Sequence, residues 1–82
     1  MKVKKGNKYK VVTEVNHFKT LNDLTEREGF ILFEGEEYTV DMIYDMDGKC
    51  FVNLGQYKDE FGQNKSRTLS LDTFKNCFDE VK

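Results

Sequence analysis

The chain has 82 residues, a formal net charge of −2 and 38% apolar residues, among them seven Phe and four Tyr. A chain of this size buries only about 60% of the surface its unfolded form exposes, so one small domain is the expectation. No apolar run approaches the roughly 18 residues that cross a bilayer. None follows the charged opening Met1-Lys2-Val3-Lys4-Lys5-Gly6 either, so the expectation is a cytosolic protein without a signal segment.

Residues 1–7 read as a basic N-terminal arm and residues 8–82 as the domain. Tyr9, Val11, Thr13 and Val15 stand at alternate positions and predict a first strand with those four on one face. Asn16 to Glu28 breaks the alternation and reads as a long loop, with a helical turn begun at Thr20 and closed by Gly29 as the one ordered element. Phe30 to Phe33 is apolar and Glu34-Gly35-Glu36 a turn. Glu37 to Tyr44 alternates again, with Tyr38, Val40, Met42 and Tyr44 on one side. Asp47-Gly48 then tolerates the positive φ angles of a tight hairpin, whose return strand carries Cys50, Val52 and Leu54 on one face and Phe51 on the other. This strand is expected to end near Gly55. Gln56 to Ser66 reads as a loop or frayed hairpin tip, and Arg67 to Leu71 as a fourth strand. Asp72 is the expected cap of a helical turn that stacks Phe74 on Phe78, and Glu80-Val81-Lys82 the closing strand.

Four or five short strands with almost no helix predict an all-β fold, closed into a small barrel around Tyr9, Val11, Leu32, Tyr38, Val40, Val52, Leu69, Leu71, Phe74, Phe78 and Val81. Closure would also remove exposed sheet edges. The run Leu32-Phe33-Glu34-Gly35-Glu36-Glu37-Tyr38-Thr39-Val40, followed by Asp45-Met46-Asp47-Gly48, Cys50-Phe51-Val52 and a late helical turn, resembles the Src-homology-3-like barrel. That likeness implies about five strands, a long loop after the first, a tight distal hairpin and one short C-terminal helical turn. The peptide-binding members of that family use Trp and Pro in their groove, and this chain has neither, so polyproline recognition does not carry over. The openings and endings around Gly6-Asn7-Lys8-Tyr9-Lys10 and Leu71-Asp72-Thr73-Phe74 are similar to those of short bacteriophage proteins of unassigned role.

The inventory for catalysis is small. His17 is the single histidine, and no Ser or Cys stands in a nucleophile-elbow context. Asp45-x-Asp47-Gly48 shares part of a calcium loop, but position 54, where that loop needs Glu, is Leu. Cys50 and Cys77 lie 27 positions apart with no Cys-x-x-Cys pair and are expected to be reduced. No enzyme activity, cofactor or metal is therefore expected.

Charge is segregated. Residues 1–10 hold five lysines and no acid, whereas residues 20–47 hold nine acids against Arg27 alone. Such acids either keep a small sheet soluble and its edges apart or form a surface that docks on a basic partner. The expected function is non-enzymatic protein binding through Glu26, Glu28, Glu36, Glu37, Asp41, Tyr57 and Phe61, with a host or defence protein, one that itself binds nucleic acid, as the partner implied by the phage likeness. The alternative is nucleic-acid binding through the N-terminal lysines.

Overall fold

Lys8, Tyr9, Lys10 and Val11 alternate between water and core, and they form strand β1 (Lys8–Val11) with Tyr9 and Val11 fully buried. The computed structural model describes residues 2–21, 26–59 and 61–81, with residues 17–21 and 26–28 described by backbone pairing only. After β1 come β2 (Val15–Leu21), β3 (Glu26–Leu32), β4 (Glu37–Thr39), β5 (Met42–Met46), β6 (Lys49–Lys58), β7 (Asn64–Ser70), the helix α1 (Leu71–Cys77) and β8 (Phe78–Glu80). Among the described residues the protein is all-β with one short helix. Among the described residues its strands pair antiparallel in three sheets, β4-β1-β8, β2-β3 and β5-β6-β7. First and last strands are thus neighbours.

The expected loop from Asn16 to Glu28 is a hairpin instead. Seven residues of β2 pair with seven of β3, from Val15 opposite Leu32 to Leu21 opposite Glu26. Thr20 pairs with Arg27 and Gly29 with Phe18, so both ends of the expected helical turn are strand; residues 22–25 between them lie outside the described residues. Polar composition conceals such strands, because backbone pairing forms a ladder whatever the side chains on its wet face.

Other boundaries shift for local reasons. The first strand ends at Val11, since the amides of Val12 and Thr13 both donate to the Cys77 carbonyl, at 2.8 and 3.2 Å, and turn the chain away. Between Val40 and Asp41 the chain changes sheets. Val40 donates to Asn7 and accepts from Gly6, both beside β1, whereas the Asp41 amide donates to Asn53 on β6. That corner reverses the alternation: Val40 is buried, Met42 is 49% exposed, and Ile43 packs on the core. Met42 and Tyr44 therefore lie on the opposite face from the one the uninterrupted pattern predicts.

The hairpin at Asp47-Gly48 forms as expected, with φ of 53° and 77° at its two central residues and Asp45 opposite Cys50. Its return strand does not stop near Gly55. Gly55 takes a φ of 93°, its amide donates to Asn53 Oδ1 at 2.7 Å, and pairing resumes at Gln56 opposite Ser66. A bulge here lets the strand continue to Lys58. The expected loop 56–66 is thus mostly paired strand with a short tip. The helix is capped by Ser70, not Asp72: Ser70 Oγ accepts from the Thr73 amide at 3.2 Å, and Asp72 sits in the first turn, where a carboxylate suits the helix dipole. The closing strand is Phe78–Glu80, displaced from the expected 80–82.

These shifts explain the core. Phe74 lies parallel to Phe78 at 4.3 Å between ring centres and meets Tyr9 edge-on at 5.1 Å. Val15, Phe30 and Leu54 join the buried set, while Tyr38 and Leu71 are half-buried and Val81, past the last strand, is 39% exposed. Residues before β1 are tied down through Lys4, whose amide donates to the Tyr9 hydroxyl at 2.9 Å.

Candidate functional site

Three of the seven expected contact residues follow one another along the chain's passage into and out of β4. Glu36 is exposed, and its Oε1 accepts the Phe33 amide at 2.7 Å, holding the turn before the strand. Glu37 is exposed on β4 directly opposite Lys10, and Lys10 in turn faces Asp79 of β8. Asp41 is exposed at the corner where the chain joins β6. Glu26 and Glu28 pair in backbone register with Leu21 and Lys19, and their side chains lie outside the described residues.

Tyr57 and Phe61 belong to the β6–β7 hairpin and differ in role. Tyr57 is half-buried, meets Phe30 edge-on at 5.7 Å and lies under the Arg67 guanidinium, 5.4 Å from its ring centre. The same guanidinium stands 5.6 Å from the Tyr38 ring and donates from Nη1 to the Gln56 carbonyl at 2.8 Å. Arg67 thus joins the acid-bearing strand β4 to the hairpin that carries the two expected aromatic contacts. The Tyr38 hydroxyl is held above its ordinary pKa by burial first, then by the charge of Glu36 and a hydrogen bond to it, against the opposing pull of Arg67.

Phe61 is 70% exposed. It stands on a tip whose backbone is fixed by Asp59: Oδ1 accepts from the amides of Phe61 and Gln63 at 2.9 and 2.8 Å, the Asp59 amide donates to the Gln63 carbonyl, and the Gly62 amide donates to the Asp59 carbonyl. An Asp followed shortly by Gly is the sequence signal for such a side-chain-closed turn. It presents a large apolar ring at little further cost in ordering.

A second aromatic feature was missed by the alternation pattern. Tyr44 and Phe51 pair across the β5–β6 hairpin and stack at 5.7 Å with an angle of 27° between ring planes, on the face of β5-β6-β7 away from Val52 and Leu69. The signal was present in the chain, since each residue stands three positions from the Asp47-Gly48 turn, but the assumed unbroken strand placed Tyr44 on the wrong face. Met42 and Met46 extend this surface, with Met46 54% exposed.

Burial, followed by a hydrogen bond to Asp45 and that carboxylate's charge, raises the Cys50 thiol pKa, with Lys75 opposing, so less thiolate is present at neutral pH than in a free cysteine. Cys77 is a free, half-buried thiol. Among the described residues no three His, Cys, Asp or Glu side chains are grouped to hold a metal ion, and no helix is long and apolar enough to cross a membrane. No protein-family model, curated protein or solved structure matches the chain.

Proposed function

We propose that this chain is a non-enzymatic protein-binding module built on a small Src-homology-3-like barrel, and that Phe61 is its anchor. The reading of the fold is supported by the pairing of the first strand with the last, by the tight hairpin at Asp47-Gly48 and by the short helix before β8. The reading of the function rests on one observation, a phenylalanine 70% exposed on a turn locked by four hydrogen bonds around Asp59. Interfaces draw most of their energy from a few such rings seated in a partner's pocket, and a tip whose backbone is already fixed loses little backbone entropy on binding.

The acids at Glu36, Glu37 and Asp41 supply long-range attraction to a basic partner and set the rate of encounter more than the final affinity. A site that normally holds nucleic acid is a basic surface of that kind, and the likeness to phage proteins makes a host or defence protein the natural target. Nucleic-acid binding by the N-terminal lysines is the weaker reading, because Lys10 lies in register between Glu37 and Asp79, whose charges offset it.

The test is capture from bacterial lysate at low and moderate salt, with wild type and Phe61→Ala as parallel baits. A stoichiometric protein held by wild type and bound about 30-fold more weakly by Phe61→Ala is the expected result, the loss corresponding to a hot-spot residue of about 2 kcal/mol. A partner held equally by both, or none at all, removes the proposal.

A further inference from the structure

The turns at the two ends of β6 fix which way the backbone of β7 points. At the Asp47-Gly48 end, a two-residue turn leaves Met46 and Lys49 exchanging both of their backbone bonds, and such pairs alternate along an antiparallel ladder. Phe51 therefore bonds to β5, and Val52 bonds to Leu69 on β7. At the far end the Asp59 amide donates to the Gln63 carbonyl, and counting back by twos from Gln63 reaches Lys65, Arg67 and again Leu69. Both counts agree. The backbones of Lys65, Arg67 and Leu69 face β6, and those of Ser66, Thr68 and Ser70 turn outward.

Among the described residues β7 pairs with β6 alone, and no backbone bond made outside the strands and helix involves those outward groups. The Ser70 carbonyl begins the helix that its side chain caps, so the free row is the amides of all three residues and the carbonyls of Ser66 and Thr68, along about 14 Å of strand. A groove of about 440 Å³ follows it. Ser66 and Thr68 stand on one face of β7 and Lys65 and Leu69 on the other, yet all four line the groove; a groove reached from both faces of a strand lies along its edge. The Tyr44–Phe51 stack lines it on the first face, while Phe30 and Tyr57, packed on each other, wall it on the second.

A row of alternating backbone donors and acceptors is matched by another extended backbone, which adds to the sheet as a strand. Charge decides whose. Strands β5, β6 and β7 hold Lys49, Lys58, Lys65 and Arg67 against Asp45 alone, in a chain whose net charge is −2. Two β7 edges paired with each other would bring together two bases from each copy and no acid, which disfavours a second copy of this chain. We propose that the β7 edge binds an extended acidic peptide of a partner protein by strand addition, with apolar side chains beside the Tyr44–Phe51 stack and carboxylates on the face that carries Arg67. The edge lies on the hairpin that bears Phe61 but does not depend on that ring. It also selects the opposite charge from the one drawn to Glu36, Glu37 and Asp41.

The probe is a capped heptapeptide alternating Val and Glu, titrated into the ¹⁵N-labelled full chain and followed by amide chemical shifts and hydrogen exchange. The amides of Ser66 and Thr68 are expected to exchange rapidly in the free chain and to slow at least about tenfold at saturation. A Val-Lys peptide of the same length should bind at least about tenfold more weakly at low salt. Ser66→Pro removes an outward amide without breaking a bond to β6 and should weaken the Val-Glu peptide at least about tenfold. Ser66→Ala, which keeps the amide, and Phe61→Ala should leave it unchanged. Methylating alternate amides of the peptide tests the same bonds without altering the protein: one of the two alternate sets should abolish binding and the other spare it. Slow exchange at Ser66 and Thr68 before peptide is added, protection there that rises with protein concentration alone, equal affinity for the two peptides, or binding that survives both methylated sets would each overturn the proposal.

Discussion

Replacing Arg67 with Met keeps the apolar stem and removes the planar cation that lies over both Tyr38 and Tyr57, together with its hydrogen bond to the Gln56 carbonyl. Each ring contact at a half-exposed site contributes about 0.5–1 kcal/mol, and a hydrogen bond of this exposed kind about 0.5–1 kcal/mol. The expected loss is therefore about 2 kcal/mol. An 82-residue chain has roughly 4–12 kcal/mol of total stability, so the variant remains folded but loses a sizeable share of its margin, equivalent to about 10 °C in Tm. Urea unfolding followed by far-UV circular dichroism measures this directly. Arg67→Lys keeps the charge but not the flat fork and should recover less than half of the loss. The stricter measurement is a double-mutant cycle of Arg67→Met with Tyr38→Leu, in which a coupling of about 0.5–1 kcal/mol is expected. A loss below about 0.5 kcal/mol in the single variant, or strict additivity in the cycle, would refute the idea that Arg67 clasps β4 to the hairpin.

Phe74→Ala removes a fully buried ring that stacks on Phe78 and meets Tyr9, at a cost of about 3–5 kcal/mol; largely unfolded protein at 37 °C by near-UV circular dichroism is expected, and a cooperative transition near the wild-type Tm would show that the ring is not central. Ser70→Ala deletes the helix cap and should cost about 1 kcal/mol in denaturant, with Asp72→Ala costing less. Stability should fall on the alkaline side. Tyr38 and Cys50 both have folded-state pKa values raised above 10.0 and 9.0, so the unfolded chain loses these protons first; the contribution is complete below about pH 9 and is lost as pH rises through the folded values. Unfolding of wild type and of Tyr38→Phe between pH 8 and 11 checks this, with a shallower decline in the variant; identical slopes would remove Tyr38 from the account.

Much of the site was legible one residue at a time and not in combination. Asp47-Gly48 fixed its hairpin, and thereby the facing of Tyr44 to Phe51, because two consecutive residues at positive φ allow few other chain paths. Phe61 stood out as a large apolar residue in a polar, glycine-containing stretch. What failed was parity. A strand pattern carries its meaning only while the ladder is unbroken, and both the sheet change at Val40-Asp41 and the bulge at Gly55 reset which side faces inward. Arg67 gave no signal, because a cation between two tyrosines 10 and 29 positions away in the chain is a product of packing.

The amino-acid sequence by itself determined the all-β class, the tight turn, the Phe74–Phe78 pair and the segregation of charge, since each follows from local conformational preference or from composition. Tertiary structure alone decided that β2 and β3 pair despite their polar residues, that Lys10 stands between two acids, and that Arg67 bridges β4 and the hairpin. Those outcomes depend on which distant backbone completes a strand's hydrogen bonds, a choice made by the whole chain at once because no segment can satisfy its own edge.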